Sequence, residues 1–163
     1  MPVIDSNEIF FTQFEPKVKN RFILYMDGVP SYMINKVGGI SLDQGEIQIN
    51  HINTLFKVKG GRSKWGDLTL GLYDPITPSG TLAVMEWVRL HHESVTGRDG
   101  YSDFYKRDLT IAILGPVGDI VSEWVAKGAF IKSFKAPDYD WSSDSEASQI
   151  ELNLSVDYMV MEY

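Results

Sequence analysis

The 163-residue sequence contains no cysteine and only three histidines. Without cysteine the chain can form no disulfides and no thiolates, so its fold must be held together by burial alone. The shortage of histidine also leaves few groups for acid–base catalysis. No run of 18 apolar residues is present, so no transmembrane helix is predicted. Residues 1–14 contain Asp5 and Glu8 but no lysine or arginine, and we therefore expect no signal peptide.

The formal net charge is -7, and the charges are unevenly distributed. Residues 136–163 hold seven acidic residues and no lysine or arginine. The basic residues instead cluster at Lys57, Lys59, Arg62 and Lys64. Overall acidity argues against tight nucleic-acid binding, because that affinity comes from neutralised phosphates. The basic cluster is either a solvated edge or a contact with an acidic partner surface.

Most of the chain has the patterns of β-strands. Asp27-Gly28 between two apolar runs predicts a hairpin with a type I′ turn. The segment between residues 50 and 55 has no tight-turn signal, so it could be a long hairpin or an extended loop. The predicted strands are 21–26, 29–37, 46–50, 55–59, 67–73, 108–114, 119–128, 129–136 and 150–158. With this many strands we predict a single mainly β domain over residues 1–163, an antiparallel sandwich or barrel with one flanking helix.

The single predicted helix covers residues 81–92. Its apolar stripe would consist of Val84, Met85, Val88, His91 and His92. Thr77 is the predicted N-cap, with Pro78 at the first helical position. The helix should end before Gly97.

Three patterns suggest chemistry but lack the residues that the chemistry requires. Gly60-Gly61 lies in a basic stretch, yet no Gly-Lys-Ser/Thr and no helix follow, as a phosphate loop would need. His91 and His92 are adjacent, whereas zinc-binding helices space their ligands at i and i+4. Asp138, Asp140 and Asp144 lack the glycine and the bidentate glutamate of a calcium loop. We therefore predict no catalytic, cofactor-binding or metal-ligating residues, and no enzymatic activity.

The order of several segments resembles the tail tube proteins of contractile-tailed bacteriophages, the T4-like family, over about residues 17–162. The related tubes of type VI secretion and extracellular contractile injection systems resemble the chain as well. The segments that carry the resemblance are "KNRFILYMDG", "NTLFKVKGGRSKWGDLTLGLYDP", "VMEWVRLHHESVTG", "YKRDLTIAIL", "SEWVAKGAFIKSF" and "PDYDWSSDSEASQIELNLSVDYMVME". Residues 1–14 have no counterpart, and residues 1–16 are predicted to form an N-terminal arm.

The resemblance implies hexameric rings that stack into a hollow tube inside a contractile sheath. It implies sheath, tape-measure, baseplate and tail terminator proteins as partners, and DNA passing through a negatively charged lumen without binding. It also implies a virion tail assembled in the host cytoplasm, and no membrane insertion by the free subunit. The tube of an injection device is the first alternative, and a small β-barrel ligand-binding protein or enzyme is the second.

The segment from Gln44 to Lys64 is expected to dock on a neighbouring ring, with Gly60-Gly61 as its hinge. We expect it to be mobile in the free subunit and ordered in the assembly. The predicted inter-subunit contact residues are Lys57, Lys59, Gly60, Gly61, Arg62, Lys64 and Trp65.

Overall fold

The computed structural model describes residues 13–163. Residues 1–12, which make up most of the predicted N-terminal arm, lie outside this range. The strands in chain order are β1 (Phe22–Tyr25), β2 (Ile34–Gly38), β3 (Leu42–Asp43), β4 (Glu46–His51), β5 (Thr54–Lys59), β6 (Lys64–Trp65), β7 (Leu68–Tyr73), β8 (Arg107–Leu114), β9 (Ile120–Lys135), β10 (Gln149–Ser155) and β11 (Tyr158–Met161). The helices are α1 (Gly80–His91) and α2 (Ser102–Tyr105), and a short 3-10 turn spans Ser31–Met33.

Seven strands form an antiparallel sheet that folds into two layers through the long strand β9. The first part of β9 pairs with β8 and β11, and β8 pairs in turn with β1. The last part of β9 pairs with β10, followed by β7 and β2. Gly128 lies near this change of partners with φ +66°, a conformation that costs glycine little because it has no Cβ. The expected mainly β, antiparallel fold is therefore confirmed.

The core lies between the two layers. Leu24, Leu109 and Ile111 come from the first layer and are at most 3% exposed. The second layer contributes alternating side chains of β7 and β10, which are Leu68, Leu70, Leu72, Ile150, Leu152 and Leu154. Alternate residues of a strand point to opposite faces, so one face of each strand is buried. Full burial of each such side chain contributes about 1.5–3 kcal/mol.

Helix α1 covers one flank of the core. Its fully buried side chains are Val84 and Trp87, and Trp87 Nε1 donates a hydrogen bond to the Tyr105 carbonyl at 2.6 Å. The predicted stripe omitted Trp87, which lies three residues after Val84 on the same helix face. It also wrongly included His92, which is exposed. The predicted start was also wrong. The helix begins at Gly80, and Ser79 Oγ, not Thr77, accepts the capping bond from Leu82 N.

Several strand predictions need correction because pairing partners come from distant parts of the chain. Asp27-Gly28 is flanked by a single bridge between Met26 and Val29 rather than by a two-stranded hairpin. β1 pairs with β8, and β2 pairs with β7. Predicted strands 119–128 and 129–136 form the single strand β9, and predicted strand 150–158 breaks after Ser155.

No helix in the described part of the chain is long and apolar enough to cross a membrane.

Candidate assembly surface

Strands β4 and β5 form a hairpin that stands apart from the two-layered body. Within residues 13–163 the two strands pair only with each other, over six residue pairs from Glu46–Lys59 to His51–Thr54. A two-residue turn, Ile52-Asn53, closes the hairpin, and all residues of both strands are exposed. Of the two alternatives, a long hairpin is therefore correct and an extended loop is wrong. An isolated two-stranded hairpin is marginally stable in water, so this element lacks the support that packing gives other strands.

The hairpin has one apolar face and one charged face. The strand register places Ile47 opposite Val58 and Ile49 opposite Phe56. These four side chains lie on the same face, because residues directly opposite in an antiparallel pair share a side. They remain 50%, 37%, 48% and 62% exposed in that order. Contiguous exposed apolar surface is typical of protein interaction sites.

The other face carries the predicted basic residues Lys57 and Lys59, opposite Gln48 and Glu46. Lys57 Nζ lies 3.7 Å from Glu46 Oε1. Both side chains are half exposed, so this pair contributes at most about 1 kcal/mol. The charged face is thus compatible with solvent, whereas the apolar face is not.

The tip of the hairpin is strained. Ile52 adopts φ +50° and is 90% exposed. A β-branched residue rarely adopts this left-handed conformation, which costs about 1–2 kcal/mol. No burial of Ile52 within the subunit compensates for that strain.

A short ladder connects the hairpin to the body. β3 pairs with β6 through Leu42–Trp65 and Asp43–Lys64. Trp65 is half-buried and packs against the core, so it anchors the base of the hairpin.

The glycines predicted as a hinge lie between two strands, β5 and β6. Gly60 is buried, and a Cβ there would lie 2.2 Å from Ile47 Cγ1. Gly61 has φ +69° and open space around it, and Arg62 is exposed. Gly60 therefore serves close packing and Gly61 serves the turn. No helix follows these glycines, as a phosphate loop would require.

The exposed apolar face formed by Ile47, Ile49, Phe56 and Val58 was not predicted from the sequence. The sequence feature that could have indicated these residues is the alternation of apolar and polar residues in "EIQIN" and "LFKVK". In each segment the apolar residues form one face of a strand, but only the strand pairing shows that the two faces coincide and remain uncovered.

His91, the last residue of α1, and His92, which follows it, have different surroundings. His91 packs against the rings of Tyr105 and Phe130, at 5.3 and 6.5 Å between centroids. Burial, and next the neighbouring His92, lower the pKa of His91, while Asp99 opposes this shift. His92 Nδ1 lies 2.9 Å from Asp99 Oδ1 at the surface. Among residues 13–163 no three potential metal ligands converge.

Asp74 binds the amino-terminal end of α1. Its carboxylate accepts hydrogen bonds from Thr81 Oγ1 at 2.7 Å, from Gly80 N at 3.0 Å and from Thr81 N at 3.2 Å. Burial raises the pKa of Asp74, but the hydrogen bonds from Thr81, Gly80 and Ser79 outweigh it, and the net pKa is lowered. The carboxylate thus acts as a helix cap, which is a structural role.

No family model and no curated protein matches the sequence, but solved structures match the fold. The anti-feeding prophage tube-terminating cap has a TM-score of 0.75 at 18% identity, with 98% of this chain and 99% of that chain covered. A chain of the sheath–tube complex of the extracellular contractile injection system PVC has a TM-score of 0.69 at 21% identity, with 98% and 99% covered. This chain has the fold of contractile tail-tube proteins.

The tube fold also appears in the sheath/tube terminator of the PVC system. That chain has a TM-score of 0.75 at 21% identity, with 93% of this chain and 100% of that chain covered. The resemblance to tube proteins is therefore confirmed at the level of the fold. The structures that contain these neighbours are a tube-terminating cap, a sheath–tube complex and a sheath/tube terminator.

Proposed function

We propose that this chain is the structural subunit of the inner tube of a contractile tail, assembled as hexameric rings that stack into a hollow conduit. The observation that carries the proposal is the uncovered apolar face of the β4–β5 hairpin, formed by Ile47, Ile49, Phe56 and Val58. A marginal hairpin becomes stable when its apolar face is covered, and a second copy of the chain supplies such a cover in a ring or stack.

Docking of the hairpin accounts for the predicted contact residues as well. Lys57 and Lys59 lie on β5, Arg62 lies in the following turn, and Lys64 is the first residue of β6. If docking buries them, the neighbouring copy must supply acidic partners, since an unpaired buried charge is costly. Gly60, Gly61 and Trp65 then hold the base of the hairpin while its strands contact the neighbour.

The proposed mechanism is passive, and no residue of this chain catalyses a reaction. A sheath surrounds the tube, a terminator closes it, and a baseplate and a tape-measure protein complete the tail. The tube conducts DNA through a lumen whose negative charge avoids the counterion release that makes DNA bind. In this proposal the tail belongs to a virion and is assembled in the host cytoplasm.

The inner tube of an extracellular contractile injection system is the second candidate. The neighbours with TM-scores of 0.69 and 0.75 come from such a system and from the anti-feeding prophage, which favours this candidate. Both candidates share the tube and the sheath but differ in the cargo. Mass spectrometry of particles purified from the producing cells distinguishes them, because only a virion contains capsid proteins and packaged DNA.

Negative-stain electron microscopy of the purified full chain tests the proposal. Rings or hollow rods are the expected result. Small monodisperse particles at every concentration up to the solubility limit would overturn it and would favour a β-barrel ligand-binding protein or enzyme.

A further inference from the structure

An apolar groove lies at the seam where the two layers of the body meet. It has a volume of about 350 Å³. It runs between β1 and β2, which are the outer strands at the two ends of the seven-stranded order. Its apolar walls are formed by Val18, Phe22, Val37, Ile40 and Ile113. Lys17, Lys19 and Arg21 form a basic rim along one side.

The rim is available for a partner of opposite charge. Lys17 Nζ donates to Ser122 Oγ, whereas no ion pair involves Lys19 or Arg21 among the described residues. Ile40 and Val18 remain 37% and 38% exposed at the wall. A ligand that fits must therefore combine an apolar anchor with negative charge.

One surface segment of the chain has this combination, the loop of residues 136–148 between β9 and β10. Its side chains Tyr139 and Trp141 are 80% and 106% exposed. It contains no lysine or arginine, and its acidic residues are Asp138, Asp140, Asp144 and Glu146. Asp140 Oδ1 accepts from Ser142 N at 3.1 Å, which holds Trp141 at the tip of a local turn. A fully exposed tryptophan is unusual, because tryptophan is highly buried on average in folded proteins. Tryptophan is also enriched among the residues that contribute most to binding at protein interfaces.

The groove and the loop lie at opposite ends of the second layer. Val37 and Ile40 lie at or beyond the end of β2, where Gly38 pairs with Thr69 at the start of β7. The loop leads into the start of β10, where Gln149 pairs with Tyr73 at the end of β7. Asp74 N also donates to the Ser148 carbonyl at 3.0 Å at that end. Two complementary surfaces at opposite ends of a molecule suit a head-to-tail contact between copies, which is the kind of contact that generates rings or filaments.

We propose that Trp141 of one copy inserts into the groove of a second copy, while the acidic residues around it face Lys19 and Arg21 on the rim. This inference rests on the self-association proposed above and assigns it a second contact, separate from the hairpin. An indole supplies the apolar surface that the groove buries, and the surrounding carboxylates pair with the rim.

Compensating charge reversals in the full chain test the proposal. One variant carries Asp138→Lys and Asp144→Lys, another carries Lys19→Glu and Arg21→Glu, and a third combines all four. We expect each double variant to raise the concentration needed for assembly about tenfold or more, and the combined variant to restore it. A matched control, Glu86→Lys with Asp103→Lys, changes the net charge as much as the loop variant and should assemble like the unaltered chain. Far-UV circular dichroism melts establish that each variant is folded.

Trp141 itself provides a second readout that does not depend on charge. Trp141→Ala should raise the assembly concentration roughly tenfold to thirtyfold, and Trp141 fluorescence, taken as the difference from Trp141→Phe, should lose its accessibility to iodide on assembly. The proposal is overturned if the unaltered chain assembles while Trp141 stays accessible or the reversals have no effect. In that case the tube function stands. If only the rim reversal disturbs assembly, a different segment occupies the groove, which also overturns the proposal. Failure of the unaltered chain to assemble at all overturns both proposals.

Discussion

Truncation of the apolar face of the hairpin should weaken assembly without destabilising the subunit. Ile49 and Phe56 are 48% and 62% exposed in the subunit. Full burial of such side chains contributes about 1.5–3 kcal/mol each, so covering the part that is still exposed contributes roughly 1 kcal/mol or more per side chain. The double variant Ile49→Ala/Phe56→Ala should therefore lose about 2 kcal/mol per contact, which raises the critical concentration for assembly about thirtyfold.

Leu55→Ala provides the matched control for this prediction. Leu55 lies next to Phe56 on β5, is 52% exposed, and points to the opposite face of the hairpin. Like Phe56→Ala, the Leu55→Ala variant removes an exposed apolar side chain from β5 and lowers the local strand propensity. Sedimentation of polymer from a dilution series measures the critical concentration, and thermal melts of the unassembled subunit should coincide for all variants. Equal losses for Leu55→Ala and Phe56→Ala, or no loss for the double variant, would refute docking through the apolar face.

Three further predictions concern the body, its titration and the hairpin. Gly39→Ala should lower the melting temperature by an amount corresponding to about 2 kcal/mol or more, because Gly39 has φ +86° and an added Cβ would lie 2.4 Å from the Asp67 carbonyl oxygen. The control Gly38→Ala should change stability little, because the space around Gly38 is open. Equal effects of the two substitutions would contradict the prediction. Because folding lowers the pKa of His91, the contribution of neutral His91 to the free energy of unfolding is complete above the unfolded pKa of about 6.5 and is lost as the pH falls below that value. Chemical denaturation across pH 5–8 should show this loss of stability, and His91→Phe should make the loss smaller. Identical pH profiles for the two proteins would contradict the prediction. Hydrogen exchange of residues 44–64 should be fast in the subunit and slow in the assembly, and equal protection in both states would count against docking.

Alternation of apolar and polar residues made most of the strands predictable. β7 and β10 each have one buried face, so their alternation is directly visible in the sequence. Pairing was less predictable, because β1 pairs with β8, a strand more than 80 residues away in the chain. The Asp27-Gly28 signal is local, and it did not decide the pairing, because β1 and β2 pair with β8 and β7 of the same sheet instead of with each other.

The sequence drew attention to the segment that forms the hairpin, but it did not reveal the apolar face of that hairpin. The basic residues and glycines between Lys57 and Lys64 lie in the same segment as the exposed hairpin, partly on β5 and partly just after it. The tight turn at Ile52-Asn53 lacks glycine and uses a strained isoleucine instead, so no turn chemistry in the sequence indicated it. Without that turn, the register that aligns Ile47 with Val58 and Ile49 with Phe56 could not be derived.

A cryo-electron microscopy reconstruction of the assembled full chain tests the central claim most directly. We predict a hollow tube of stacked hexameric rings in which a neighbouring copy covers Ile47, Ile49, Phe56 and Val58. We also predict a lumen wall with net negative charge and no cluster of exposed aromatic side chains, since base stacking contributes about 1–3 kcal/mol per base and would retain DNA. An assembly without a continuous channel, or one in which the apolar face of the hairpin remains exposed to solvent, would contradict the account.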